Sequence, residues 1–318
     1  MADFKRGWRK PSTILFATEC PPNERNFTVA LAHAKESDAK LNLFHVAPSM
    51  ARAPMHYPGM NGASPRTVLR VRQFLDPLAQ RAWDMGIDCQ VLLREGNAAE
   101  EILKYMKEWQ ADRVVVGAHT AGPAGKPLVG SVADTLLRMA EVPVTIVSPF
   151  LAEGSYRNFL TRSVLCVVSA HQSSQAVARF AAELAVRNGA RAVFQHIIPS
   201  QKKPDSIAGP TPGQVERQLH EMIPADILAK ANIDASVSIG DPAEELLYQG
   251  RALRANVIVI GAHDLTHLAP ASNAGYVYKV LAHATCPVIA LSPVVLRGSV
   301  LESDTLRSFG IQLLPGAA

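Results

Sequence analysis

The segment DRVVVGAH (112–119) decides the fold, because the chain repeats it. It follows EGNAAEEIL (95–103) and precedes a run ending EVPVTIV (141–147), and it returns as ANVIVIGAH (255–263), after IGDPAEELL (239–247) and before TCPVIAL (285–291). Gly96 to Gly240, Gly117 to Gly261 and Pro143 to Pro287 are each 144 residues apart. A repeat of that length is a whole domain rather than a solenoid unit. Each copy reads as a short β-rich apolar run entering a glycine turn, followed by a helical pattern, which is the grammar of a βαβ unit.

Working outward, the first half offers strands at TILFAT (13–18), LNLFHV (41–46), DCQVLL (88–93), RVVVG (113–117) and VTIVS (144–148). Several are continuously apolar, as expected of parallel strands covered on both faces. Val68, Val71, Leu75, Leu78, Ala82 and Met85 recur at helical steps between them. The second half repeats the plan with SVLCVV (163–168), RAVFQHI (191–197), DASVSI (234–239), NVIVI (256–260) and PVIAL (287–291), and its first helix carries Val177, Phe180, Ala181, Leu184 and Ala185 on one stripe. The expected domains are therefore 1–150 and 151–318, joined through 148–162. The 318 residues are enough for two cores of their own. Two crossovers rich in Pro and Gly, 48–65 and 199–213, follow the second strand of each half. They read either as flaps over a ligand crevice or as plain surface excursions. Residues 296–318 have no counterpart in the first half and read as an interface arm or a tail.

Composition narrows the function. Hydrophobic residues are 48% and charged residues 19%, and no apolar run reaches the length of a membrane span. With no secretory pattern after MADFKRGWRKP, a cytoplasmic protein is expected. Cys20, Cys89, Cys166 and Cys286 lack metal-ligand spacing and read as reduced packing thiols. The net charge of +4 comes without a cluster of basic residues, so neither nucleic acid nor a membrane is an expected partner.

Chemistry concentrates after the fourth strand. Gly117-Ala118-His119-Thr120 is followed, after nine residues, by Gly130-Ser131 opening a helix. The first turn of a helix has unpaired N–H groups and a partial positive charge, and a residue without Cβ lets a phosphate come close. Ser131 offers a hydroxyl at the cap, although Gly-Ser before a helix is equally an ordinary cap. Gly125-Lys126 is no Walker loop, since Pro127 stands where Ser or Thr is required. His263, Asp264 and His267 lie in a loop and make a poor metal set. His45 and His196, each ending a second strand, read as hydrogen-bonded structural residues rather than acid–base catalysts. No catalytic constellation emerges.

These signals together resemble a tandem universal stress protein, two domains of the UspA type, over 12–150 and 162–293. His45-Val46, Gly96 to Ile102, Gly117, Gly130-Ser131 and Val142-Pro143-Val144 carry the resemblance. It implies an α/β fold of two tandem Rossmann-like domains, each a five-stranded parallel sheet of order 3-2-1-4-5 with helices on both faces. It also implies pairing of the two domains as an intrachain pseudo-dimer through their fifth strands, with homodimers known in the family. ATP or a related adenine nucleotide, accompanied by Mg2+, is the implied ligand. The implied site is Ala17, Thr18, Glu19, Val46, Val116, Gly117, His119, Thr120, Gly130, Ser131 and Val132. Two departures qualify it. Thr120 stands where the family's pattern of G-x-x-G, nine residues, then G-S/T has its second glycine, and Glu19 stands where the family's first strand ends in an aspartate.

In the second half the 144-residue offset puts Ala274 where Gly130 stands, with Gly275-Tyr276 one step late, and the acidic position ending the first strand falls on Ser169 in VLCVVSAH. Asp264 would repel a phosphate. The expectation is a nucleotide site in the first domain and a structural or regulatory second domain, serving the stress response. An interaction scaffold without nucleotide is the alternative, and slow ATP hydrolysis ranks last.

Overall fold

The computed structural model describes residues 10–48, 65–118, 129–152, 161–168, 173–200, 211–262 and 275–296. The first half runs β1 (Thr13–Ala17), α1 (Glu24–Ser37), β2 (Lys40–Ala47), α2 (Pro65–Asp84), β3 (Cys89–Glu95), α3 (Ala98–Glu108), β4 (Arg113–Gly117), α4 (Ser131–Met139) and β5 (Val144–Val147). The second runs β6 (Ser163–Val167), α5 (Ser173–Asn188), β7 (Arg191–Pro199), α6 (Pro212–Met222), α7 (Ala225–Leu228), β8 (Asn232–Gly240), α8 (Pro242–Ala252), β9 (Val257–Gly261), α9 (Tyr276–His283) and β10 (Val288–Leu291). The crossovers at 49–64 and 201–210, most of the joining segment (153–160) and the tail beyond 296 lie outside the described residues.

All ten strands form one sheet, ordered β3-β2-β1-β4-β5-β10-β9-β6-β7-β8. Within each half every pairing is parallel, and the halves meet where β5 pairs antiparallel with β10. Strand alternation divides the core. On β4, Val114 and Val116 enter a cluster with α3, α4, α8 and α9 that runs unbroken across the seam, whereas Val115 faces a separate cluster under α1 and α2. A third cluster lies under α5 and α6.

The repeat shows in local detail as well as in plan. The Asp112 carboxylate accepts from the backbone N–H groups of Ser12 and Thr13 at 2.8 and 3.0 Å, tying the start of β4 to the start of β1. Its counterpart Asn256 accepts from Arg162 and Ser163 at 2.9 and 3.0 Å. Gly96 (φ +142°) lies under the Glu101 side chain and Gly240 under Glu245, while Asn97 and Asp241 cap the helices that follow. The repeated Gly-x-x-x-x-Glu pattern is thus a helix-start device.

At the seam Thr145 sits opposite its own equivalent, Ile289. Arg138 Nη2 donates to the Tyr278 hydroxyl at 2.9 Å, and that hydroxyl donates to Asp134, the residue at Tyr278's equivalent position. Ser148 Oγ donates to the Ala282 carbonyl at 3.0 Å, and its equivalent Ser292 donates to that of Ala140. The start of the expected linker is consequently built into the fold: Ser148 and Leu151 are buried, and Phe150 stacks on His283 at 5.4 Å. The reason is that two exposed strand edges are covered by pairing each other, and the chain leaving β5 must run along that seam.

Candidate functional site

In the first half the chain proceeds from β1 to β2 on one side and reaches β4 on the other, so the carboxyl ends of β1 and β4 diverge. Open α/β sheets place ligands at such a point. A crevice of about 830 Å³ opens there, lined by the ends of β1, β2, β4 and β5 and the first turns of α1, α3 and α4. That volume suits a nucleotide-sized molecule.

Of the sequence-expected site residues, Ala17, Thr18, Glu19, Val46, Val116, Gly117 and Val132 line this crevice together. Gly130 and Ser131 are not among its lining residues; they stand at its edge, Gly130 half-buried and Ser131 exposed. His119 and Thr120 lie outside the described residues, as do Lys126, Ser169, His263, Asp264, His267 and Ala274.

Three helices begin around the crevice. The Asn23 side chain caps α1 by accepting from the N–H groups of Arg25 and Asn26, and Asn97 caps α3 by accepting from Ala99 and Glu100. The α4 start has no side-chain cap: Gly130 is its N-cap, at φ −66° and ψ 161°, and Ser131 is the first helical residue. The expected capping role of Ser131 is therefore corrected, because its hydroxyl sits one position too late to bridge the first turn. Gly130 itself adopts backbone angles open to any residue, so its lack of a side chain leaves α4 without a cap of its own rather than relieving strain.

The second half departs from expectation too. Its N-cap is Gly275, at φ −71° and ψ 147°, and α9 begins at Tyr276. The sequence offset placed Ala274 at this point. The helix instead starts one residue later and keeps a glycine cap without a side-chain hydrogen bond, while both helices still end on equivalent alanines, Ala140 and Ala284. The glycine step read as lost in the second half is shifted.

His45 Nδ1 lies 2.8 Å from the Thr18 carbonyl and His196 Nδ1 lies 3.2 Å from that of Val168. A carbonyl only accepts, so Nδ1 carries the proton in both rings. Each histidine pins the turn after one strand to the next strand, and His45 also lines the crevice. The half-buried Cys20 thiol at the crevice is pushed up to about 11 by burial, against the pull of Arg70, which keeps it protonated and a poor nucleophile. Burial raises the other three thiols as well. Among the described residues no group of His, Cys, Asp and Glu is placed to hold a metal, and no helix is long and apolar enough to cross a membrane.

A model of the Universal stress protein family matches residues 11–148 and 161–292. The chain belongs to the universal stress protein family. Universal stress protein YxiE of Bacillus subtilis is 24% identical over 122 residues, 36% of this chain and 82% of that protein. A universal stress protein structure from Archaeoglobus fulgidus is 17% identical and covers 90% of this chain and 98% of its own, with a TM-score of 0.69. One from Pseudomonas aeruginosa is 16% identical over 92% of this chain and 97% of its own, at 0.58. These structures share the tandem α/β stress-protein fold.

Within that family frame, sequence reading overlooked several lining side chains of the crevice, Asn26 among them. Asn26, on the first turn of α1, lines it, and a Cβ on Gly117 would run into the Asn26 carboxamide. Gly117 is glycine here because an amide fills the space beside it. The signal was available in Asn23-x-x-Asn26 preceding an apolar helical run, which marks a helix start and places the second asparagine a turn inside it.

Proposed function

We propose that this universal stress protein binds ATP or a related adenine nucleotide in the first-half crevice, with its phosphates, and any Mg2+ they carry, at the start of α4. The observation supporting this reading is the contrast among the three helix starts: α1 and α3 satisfy their own first N–H groups with asparagine caps, and the first turn of α4 has no side-chain cap among the described residues. Ala17, Val46, Val116 and Val132 supply apolar walls for a base, and Glu19 and Thr18 stand where a ribose would meet the end of β1. His119 and Thr120 belong to the same proposed loop. The division into domains 1–150 and 151–318 goes with this reading, the second serving as a structural or regulatory partner through the β5–β10 seam. So do a cytoplasmic location and a role in the stress response. No catalytic step is proposed.

Isothermal titration with ATP tests the reading. Wild type binds, and Gly130→Asp, which puts a carboxylate at the open helix start, does not. Absence of binding by wild type at millimolar ATP refutes it, and equal binding by the variant moves the phosphates elsewhere. One observation favours the nucleotide-free scaffold instead: the packing of Asn26 already accounts for Gly117. A thermal-shift screen separates the two, since a ligand at a hundred times its Kd stabilises by about 2.7 kcal/mol.

A further inference from the structure

We infer that Asn26 is a ligand-contacting residue of this crevice, its side-chain N–H donating to an oxygen of the bound nucleotide. The inference rests on the nucleotide reading above and adds to it a contact from α1, on the wall opposite the open helix start. Asn26 is half-buried and lines the crevice. Its backbone N–H is occupied by Asn23 Oδ1 at 3.3 Å. Its carboxamide has no hydrogen-bond partner among the described residues, although it is held against the strand end at Gly117. A surface asparagine with nothing to bond is free to rotate. This one rests its amide nitrogen against the Gly117 backbone on one side, which removes part of that freedom and lowers the ordering cost of a bond to a ligand.

The neighbouring groups point to an oxygen acceptor as the partner. His45 has its Nδ1 committed to the Thr18 carbonyl, and Glu19 is an acceptor when ionised. The Asn26 carboxamide brings an uncharged N–H donor beside them. Both a ribose hydroxyl and a phosphate oxygen accept such a bond, and the choice between them is read from the ligand series.

The experiment is calorimetric titration of full-length wild type, Asn26→Ala and Asn26→Asp with adenosine, AMP and ATP, alongside ligand-free melting curves. Loss of one neutral hydrogen bond weakens binding by about three- to tenfold. Asn26→Ala should show that loss with an unchanged ligand-free Tm, and Asn26→Asp should lose more, because it keeps the size and removes the donor. An equal loss for adenosine and ATP puts the contact on the ribose, and a loss confined to AMP and ATP puts it on phosphate. Unchanged affinity in Asn26→Ala overturns the inference, as does wild-type affinity in Asn26→Asp. A fall in ligand-free Tm that accounts for the weaker binding also overturns it, by making Asn26 structural. If wild type binds none of the three, the underlying nucleotide reading fails instead.

Discussion

Lowering the pH should destabilise the first half through His33, by an amount the structure fixes. His33 on α1 is buried, and its Nδ1 lies 3.2 Å from the Nη1 of buried Arg113. A guanidinium only donates, so that ring nitrogen accepts and the imidazole is neutral. Burial, reinforced by the Arg113 charge, lowers its pKa from 6.5 to about 3. The folded state therefore refuses a proton that the unfolded chain takes up as pH falls below 6.5. Stability from this group is fully present above that value and is lost progressively down to about pH 3. At about pH 5 the unfolded histidine is almost wholly protonated and the folded one almost wholly neutral, a difference of roughly 2 kcal/mol. All three tryptophans, Trp8, Trp83 and Trp109, lie in the first half, so their emission follows its unfolding in urea. His33→Gln, which keeps an acceptor for Arg113 and cannot titrate, subtracts every other group. Wild type should lose about 2 kcal/mol more than the variant between neutral pH and about pH 5. Equal losses would refute the argument and mean that His33 admits solvent or a proton when folded.

Two further outcomes follow from single atoms. Gly117→Ala forces the flexible Asn26 amide aside, so stability should fall by no more than about 1 kcal/mol while nucleotide affinity falls as in Asn26→Ala, and the double variant should bind no worse than either single one. Additive losses in calorimetry would show that Gly117 and Asn26 act separately. Thr145 Oγ1 is fully buried at the β5–β10 seam and has no hydrogen-bond partner among the described residues, so Thr145→Val should raise stability by about 1 kcal/mol in urea unfolding; a loss would reveal a partner for that hydroxyl.

The strands were legible because buried parallel strands must be apolar on both faces: RVVVG reads and folds as Arg113–Gly117. Helix starts were less legible. Gly130 and Gly275 cap equivalent helices, yet they are 145 residues apart where the rest of the repeat keeps 144, because a helix can begin a residue late and still end in step. The crevice was half legible. Residues at strand ends follow from the strand pattern, whereas Asn26 enters from a helix, and its approach to Gly117 depends on how α1 packs over β4.

By itself the sequence determined that two α/β domains are present and which segments form their strands, since these depend on local periodicity and on a motif repeated at fixed spacing. Tertiary structure alone decided that Gly117 yields its space to an amide and that α4 is left without a side-chain cap beside two capped neighbours, and it shows the β5–β10 pairing that the family resemblance, not the residues, had implied. Those facts depend on distances between residues far apart in the chain, and such distances exist only once the helices have docked on the sheet.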